Sequence, residues 1–195
     1  DEVVMIEPLY DSYLPIVQRA GGIPKLVRIE PPSWDLPEDA LTSAFSAKTK
    51  LILLNSPQNP AAKVYSADEL QFIANLVIKH DAYAVCDEVY EHIIFDAADH
   101  IPLMTLPGMR ERCIRIGSAG KTFSMTAWKV GYITAPTKLL NAISKAHQFI
   151  TFTTPTNLQR AVAKGLEQDD GYFIELKATQ EAKRNLFVTA LTDAG

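Results

Sequence analysis

Cysteine, long hydrophobic runs and unbalanced charge are all scarce in this sequence of 195 residues. Its 2 cysteines, Cys86 and Cys113, lie far apart and form no C-x-x-C pair, which excludes a disulfide framework and predicts reduced thiols in a cytoplasmic compartment. No apolar run approaches the roughly 18 residues of a membrane span, and no basic-then-apolar signal segment opens the chain. We therefore expect no membrane segment and no secretory route.

A large excess of charge of one sign is also lacking, since the 19 Lys and Arg residues and the 23 Asp and Glu residues give a net charge of only −4. Binding to nucleic acid or to an anionic membrane needs clustered positive charge, so neither partner is expected. Glycine and proline number 9 and 12, too few for a collagen-like or low-complexity chain. The length suits one domain of about 100–200 residues, although the chain begins at Asp1 and ends at Gly195 as abruptly as a segment of a longer protein.

Short β-rich runs alternate with segments of helical periodicity along the chain. Strands are predicted at about 3–6, 25–29, 51–54, 82–86, 113–116 and 130–134. Helices are predicted at about 13–19, from Pro37, from a capping box of Ser66 and Glu69 to His80, and over 138–150, 156–168 and 171–190. This alternation predicts an α/β fold of three layers, with a mostly parallel central sheet flanked by helices.

Small and polar residues follow three of the predicted strands. In such sheets, ligands bind beyond the carboxyl ends of the strands, so these segments are the candidate site. They are Asn55-Ser56-Pro57-Gln58-Asn59-Pro60, Asp87-Glu88-Val89-Tyr90 and Gly117-Ser118-Ala119-Gly120-Lys121.

Lys121 stands at the end of a predicted turn of small residues. Such turns let the backbone approach a ligand, and a lysine there can bind a phosphate or form a Schiff base. This segment alone favours the simpler interpretation, a lysine that faces solvent. A nucleotide-binding P-loop is a poorer interpretation, because no G-x-x-x-x-G-K-[ST] spacing leads to Lys121-Thr122.

Asp87, Asn59 and Tyr90 have ordinary explanations when each is taken alone. A carboxylate at a strand end is costly to bury without a partner, so Asp87 is either exposed or paired with a cation or donor. A metal site of Asp87, Glu88, Glu91 and His92 is disfavoured, since no H-E-x-x-H or comparable spacing is present, and no metal is expected. Asn59 begins an Asn-Pro turn with a real chance of a cis bond, and Tyr90 suits a core aromatic with a wet hydroxyl.

Taken together, the motifs resemble one family. The sequence carries Asn-Pro after one strand, Asp-Glu-Val-Tyr after a second, Ser-Ala-Gly-Lys-Thr-Phe after a third, then Trp-Lys-Val-Gly, with Glu-Pro-Leu-Tyr-Asp-Ser-Tyr near its start. It resembles the fold-type I pyridoxal-phosphate aminotransferases, in the class I/II branch that contains kynurenine, glutamine and methionine aminotransferases. The resemblance runs through nearly the whole chain, and it implies that residues 1–195 form the large, cofactor-binding domain of such an enzyme.

The resemblance also implies roles for individual residues. Lys121 matches the lysine that holds pyridoxal 5'-phosphate as a Schiff base and later moves the substrate proton. Asp87 matches the aspartate that faces the pyridine nitrogen and keeps it protonated. The remaining matches are the donors to the phenolic oxygen, Asn59 and Tyr90, the aromatic that stacks on the ring, Tyr10, and two phosphate ligands, Ser118 and Lys129. Lys121, Asp87 and Tyr90 are the expected catalytic residues.

The family pattern contains parts that we do not find in this sequence. It implies an N-terminal arm with a phosphate-binding loop and a C-terminal small domain with an arginine for the substrate's α-carboxylate. No arginine here lies in a matching motif. The expected activity is transfer of an amino group from a methionine, glutamine, aromatic or kynurenine-type amino acid to a 2-oxo acid, in a homodimer. Two alternatives stay open: β-elimination on cysteine conjugates, and a non-catalytic effector-binding domain of a regulator.

Overall fold

A central sheet of six strands organises the computed structural model, which describes residues 1–195. The strands run in the order β2-β1-β3-β4-β5-β6, and all neighbours are parallel except β6, which is antiparallel to β5. Their bounds are β1 (Glu2–Glu7), β2 (Ile23–Arg28), β3 (Thr49–Asn55), β4 (Tyr83–Asp87), β5 (Cys113–Ser118) and β6 (Gly131–Thr134). All six predicted strands are confirmed, and the sheet is mostly parallel.

Seven α-helices connect and flank the strands. They are α1 (Tyr13–Arg19), α2 (Glu38–Ala44), α3 (Ala67–Lys79), α4 (Ala119–Thr122), α5 (Thr137–Ile150), α6 (Thr156–Leu166) and α7 (Asp170–Ala194). The predicted capping box is confirmed, because the Ser66 hydroxyl accepts the Glu69 N–H and the Glu69 carboxylate accepts the Ser66 N–H. The prediction for Pro37 was wrong by one position: its extended backbone makes it the residue that caps α2 rather than the first helical one.

Both faces of the sheet are covered, which gives the predicted three layers. On one face, Val4 and Ile6 of β1 join a core of 21 buried residues that also includes residues of α2 and α3. On the other face, Val3 and Met5 pack with Val17 of α1. Successive side chains of a strand point to opposite faces, so a strand segment buried on both faces is expected to be apolar, as residues 3–6 of β1 are.

The last three helices contribute little to these cores. In α5, α6 and α7 only Val162 is buried, where it packs with Ala119 and Val130 in a cluster of three. Several large apolar side chains of this part of the chain are exposed, among them Phe149, Ile150 and Phe187. No helix combines the length and the apolar character that crossing a membrane requires.

The strand register places the ends of three neighbouring strands beside one another. Asn55 of β3 lies opposite Asp87 of β4, and Asp87 lies opposite Ile116 of β5. Because these strands are parallel, the segments that follow them leave the sheet at the same edge. The fold therefore brings the three candidate segments of the sequence together.

Candidate functional site

A cavity of about 170 Å³ lies at the carboxyl edge of the sheet. Its walls come from the segments after β1, β3, β4 and β5. The lining residues are Tyr10, Tyr13, Asn55, Asn59, Asp87, Val89, Tyr90 and Lys121. Five of the seven predicted site residues therefore lie together: Tyr10, Asn59, Asp87, Tyr90 and Lys121.

Lys121 lies in the one-turn helix α4, and not in the turn that the sequence predicts. Its ammonium nitrogen lies 5.3 Å from the centroid of the Tyr90 ring and forms no ion pair with any carboxylate. The helix is packed closely against the next turn, since a Cβ on Gly120 would come within 3.0 Å of the Thr126 Cα. The Thr126 hydroxyl also donates to the Gly120 carbonyl at 3.0 Å. Lys121 thus projects from a firmly held backbone while its amine stays free for chemistry.

Asp87 has two hydrogen-bond donors on its carboxylate. The Tyr13 hydroxyl donates to Oδ2 at 2.6 Å, and the Val89 N–H donates to Oδ1 at 3.3 Å. Burial and the neighbouring Asp87 carboxylate raise the pKa of the Tyr13 phenol well above its usual value, so Tyr13 remains a neutral donor. Donors of this kind stabilise an ionised carboxylate inside the protein.

Tyr13 is a site residue that the sequence analysis missed. It lies at the start of α1, three residues after Tyr10, and the two rings meet edge to face with centroids 5.5 Å apart. A helix that begins just after a strand lies at the edge of the sheet where the site is expected. The tyrosines at positions 10 and 13 were the sequence feature that could have indicated this role. The link to Asp87 spans 74 residues of sequence, which no local pattern reveals.

Two donors in the cavity have no protein partner. The side-chain amide of Asn59 and the hydroxyl of Tyr90 form no hydrogen bond within the chain, although both residues are partly buried. The Asn59–Pro60 peptide bond is cis, as the Asn-Pro pair suggested. The ring of Tyr10 is 43% exposed and forms another wall. Together these groups offer donors at one side of the cavity and a carboxylate at another.

Ser118 and Lys129 do not line this cavity. The Ser118 hydroxyl caps α4 by accepting the Gly120 N–H at 3.2 Å. Lys129 is exposed and has left-handed backbone geometry, with φ of 55°, two residues before the start of β6. The pairing of β5 with β6 brings the two residues into the same region, because Ser118 lies opposite Gly131, two residues after Lys129. Both residues are thus near the same strand ends but outside the enclosed space.

A compact ionic cluster lies beside the cavity, where the sequence offered a metal site as a disfavoured alternative. Glu88, Glu91 and His100 bring ligand atoms within 4.8 Å of one another, but Arg115 pairs with both carboxylates. His92 is outside this group, and Asp87 is bound by Tyr13 instead. The guanidinium already supplies the positive charge that the buried carboxylate of Glu88 and the partly buried carboxylate of Glu91 require.

Comparison with known protein families matches residues 1–195 to the family described as aminotransferase class I and II. The match covers every residue that lines the cavity. The chain belongs to the class I and II aminotransferase family.

Similar proteins are named for amino-group transfer. Kynurenine–oxoglutarate transaminase of Dictyostelium discoideum is 45% identical over 214 residues, which cover 100% of this chain and 49% of that protein. The structure of N-succinyldiaminopimelate aminotransferase from Mycobacterium tuberculosis superposes with a TM-score of 0.97 at 38% identity, covering 100% of this chain and 51% of the other. An Escherichia coli protein with a methionine aminotransferase function gives a TM-score of 0.94 at 36% identity, covering 98% and 51%. This aminotransferase-family chain spans about half the length of these relatives.

Proposed function

We propose that residues 1–195 form the large, cofactor-binding domain of a pyridoxal-phosphate-dependent aminotransferase. The observation that carries this proposal is the single cavity in which an unpaired lysine amine, a carboxylate and two unpartnered donors meet. Membership of the class I and II family supports it. The proposed catalytic residues are Lys121, Asp87 and Tyr90.

The side chains present fit pyridoxal 5'-phosphate. Its ring has a basic nitrogen at one edge and a phenolic oxygen at another, so it needs a carboxylate and hydrogen-bond donors on different sides. Asp87 meets the first requirement, and the unpartnered amide of Asn59 and hydroxyl of Tyr90 meet the second. Tyr10 offers a ring for stacking. We propose Ser118 and Lys129 as ligands of the phosphate, with Lys129 supplying positive charge.

The cofactor, when bound, supplies an aldehyde carbon and a ring that accepts the electron pair released at the substrate Cα. The Lys121 amine would hold the cofactor covalently and, once the substrate's amino group has replaced it, would carry the proton from the substrate Cα to the carbon that had been the cofactor's aldehyde carbon. The Asp87 carboxylate would hold a proton on the ring nitrogen, and the Tyr13 hydroxyl, which donates to Asp87 Oδ2, holds that carboxylate in place. Asn59 and Tyr90 would donate to the phenolic oxygen and stabilise its negative charge.

We propose that the amino donor is of the methionine, glutamine, aromatic or kynurenine type and that the acceptor is a 2-oxo acid. The kynurenine and methionine aminotransferases among the relatives support this range. Elimination at Cβ of a cysteine conjugate would use the same Lys121 and cofactor. The products separate the two reactions, since pyruvate and ammonia indicate elimination, whereas glutamate formed from 2-oxoglutarate indicates transfer.

We propose that the complete protein is a cytoplasmic homodimer. The free, buried thiols of Cys86 and Cys113 support a reducing compartment. The exposed side chains of Phe149, Ile150 and Phe152, which are 88%, 82% and 76% accessible, support a covered surface on this side of the chain.

The test uses the complete natural protein supplied with pyridoxal phosphate. We expect a yellow protein whose visible absorbance is lost on borohydride reduction. With kynurenine or methionine as the amino donor and 2-oxoglutarate as the acceptor, this protein should form glutamate. A protein that stays colourless with saturating cofactor would overturn the proposal. The 195-residue chain alone should turn over substrate poorly, because we place the groups that bind the substrate's α-carboxylate outside it.

A further inference from the structure

The side chain of Asn55 uses both ends of its amide within the site. Its Nδ2 donates to the Pro57 carbonyl at 3.1 Å and to the Asp87 carbonyl at 2.9 Å. Its Oδ1 accepts the Asn59 N–H at 2.7 Å. Two carbonyls on one side and an N–H on the other leave one possible orientation for the amide.

These three bonds connect two segments that have different roles in the proposed function, the one that carries Asn59 and the one that carries Asp87. Asn59 is the proposed donor to the cofactor's phenolic oxygen, and Asp87 is the proposed partner of its ring nitrogen. Asn55 touches the backbone of both residues, and its own backbone lies opposite Asp87 in the sheet. Only 7% of Asn55 is exposed, so water competes little for these bonds.

Other contacts hold the two segments, but none links them in the same way. Ser56 donates its N–H to the Asp87 carbonyl at 3.0 Å, and the Gln58 side chain ties the turn to the Ile6 and Pro8 carbonyls. Neither contact reaches the backbone of Asn59. The Asn55 side chain alone connects the Asn59 N–H to the strand end that carries Asp87.

We propose that Asn55 is a positioning residue that fixes Asn59 and Asp87 at a set separation, so that the two edges of the cofactor ring are bound together. The inference rests on the proposed function, because it assigns Asn55 a task only if the cavity holds pyridoxal phosphate. A small shift of Asn59 would lengthen its bond to the phenolic oxygen, and hydrogen bonds weaken steeply with such a change.

The test measures the pH midpoint of the visible absorbance of the bound cofactor in the complete natural protein. Without a well-placed Asn59 donor, the phenolic oxygen keeps more negative charge and retains the neighbouring proton on the Lys121 linkage more strongly. We expect Asn55→Ala to raise the midpoint by about one pH unit and to weaken cofactor binding about tenfold, the size of one lost hydrogen bond. Asn55→Asp keeps the shape but sets an acceptor against two carbonyls, and it should raise the midpoint at least as far.

Controls separate positioning from general stability. Asn75 is an exposed asparagine of α3 whose side chain accepts a bond from Gln71. Asn75→Ala and Asn75→Asp should leave the midpoint and the cofactor affinity unchanged. If Asn55→Ala does not fold, the isosteric Asn55→Asp provides the same measurement.

A double variant tests whether Asn55 acts through Asn59. In Asn59→Ala the donor is already absent, so adding Asn55→Ala should move the midpoint by only a few tenths of a pH unit more. Independent, additive shifts would overturn the inference, and so would an unchanged midpoint in Asn55→Ala or in its isosteric substitute. A wild-type protein that binds no cofactor would overturn the proposed function itself, which distinguishes the two failures.

Discussion

The sheet and the helices that follow it differ sharply in how completely they are buried. Residues 1–134 contain all of the buried residues except Val162, and they form cores on both faces of the sheet. Residues 137–195 form three helices with exposed apolar side chains, including Phe149 at 88% and Leu186 at 74% exposure. Burial of apolar area is the main stabilising term in folding, so the first region carries most of this chain's stability.

The difference in burial also matches the location of the candidate site. Every residue that lines the cavity belongs to the sheet region, where strands and buried backbone hold it. The exposed helices carry no part of that cavity. The candidate cofactor site thus lies entirely in the well-buried sheet region, whereas the helical region exposes apolar side chains of the kind found at interaction surfaces. Four predictions test this division, from the largest effect to the smallest.

Removing the Lys121 amine should have the largest effect. We expect Lys121→Ala to lower the rate of amino transfer about a thousandfold or more, since both the covalent link and the proton carrier are lost. Steady-state kinetics on the complete protein measure this loss. Lys164→Ala in α6, whose side chain is 78% exposed, should change the rate little. Comparable losses of rate in the two variants would contradict the assignment of the catalytic lysine to the sheet region alone.

Core truncation should cost far more in the sheet region than in the helices. Ile73 is fully buried in the larger core, whereas Phe187 of α7 is 65% exposed. In urea unfolding of the 195-residue chain, we expect Ile73→Ala to cost about 2–5 kcal/mol and Phe187→Ala about 0.5 kcal/mol or less. Equal costs would mean that the helical region has a core of its own.

Loss of the Tyr13 hydroxyl should weaken cofactor binding. Tyr13→Phe removes the 2.6 Å bond to Asp87, and we expect about a tenfold rise in the dissociation constant of pyridoxal phosphate. Fluorescence titration of the complete protein measures this change. Tyr65→Phe is the matched control, because the Tyr65 hydroxyl is buried without a partner and its removal should not weaken binding. A Tyr13→Phe protein with wild-type affinity would contradict a role of the Tyr13 hydroxyl in cofactor binding.

The smallest expected effect is an acid-sensitive contribution from Glu69. Burial tends to raise the pKa of its carboxyl, but bonds from Lys63 and from the Ser66 and Leu36 N–H groups lower it below the usual value. A carboxyl whose pKa is lower in the folded state than in the unfolded state stabilises the fold at pH values above its unfolded-state pKa, about 4.3 for glutamate. That stabilisation is lost as the pH falls through the folded-state pKa.

Glu69→Gln should therefore cost up to about 1 kcal/mol near neutral pH and less near pH 3, as measured by urea unfolding at both values. Glu167→Gln in the helical region, where Glu167 is 66% exposed, should show no such pH dependence. A Glu69→Gln deficit that is the same at both pH values would exclude an ionic contribution.

The sequence predicted the strands and most of the cavity because both depend on local patterns. Apolar runs identified β1 to β6, and their ends marked the segments of Asn59, Asp87 and Lys121 as a candidate site, whereas the choice of these three residues rested on the family resemblance. The direction of β6 was not predicted, since a hydrophobic pattern is the same in either orientation. Helix α4 was missed because four residues are too few to show a helical period.

The partners of the predicted residues were harder to foresee. Tyr13 and Asn55 act on Asp87 across 74 and 32 residues of sequence, so their roles arise only when the strands assemble. A tyrosine at a helix start and an asparagine at a strand end are common, and neither indicates its distant contact. Ser118 and Lys129 lie outside the cavity lining, and their placement likewise depends on the antiparallel pairing of β5 with β6, which sets Ser118 opposite Gly131.

The most direct test of the division between the regions is the location of the reduced cofactor. The complete protein would be loaded with pyridoxal phosphate, reduced with borohydride, digested and analysed by mass spectrometry. We predict one modified lysine, Lys121, at the edge of the sheet. Attachment at a lysine of residues 137–195, or persistence of the adduct at another lysine in Lys121→Ala, would contradict the assignment of the cofactor site.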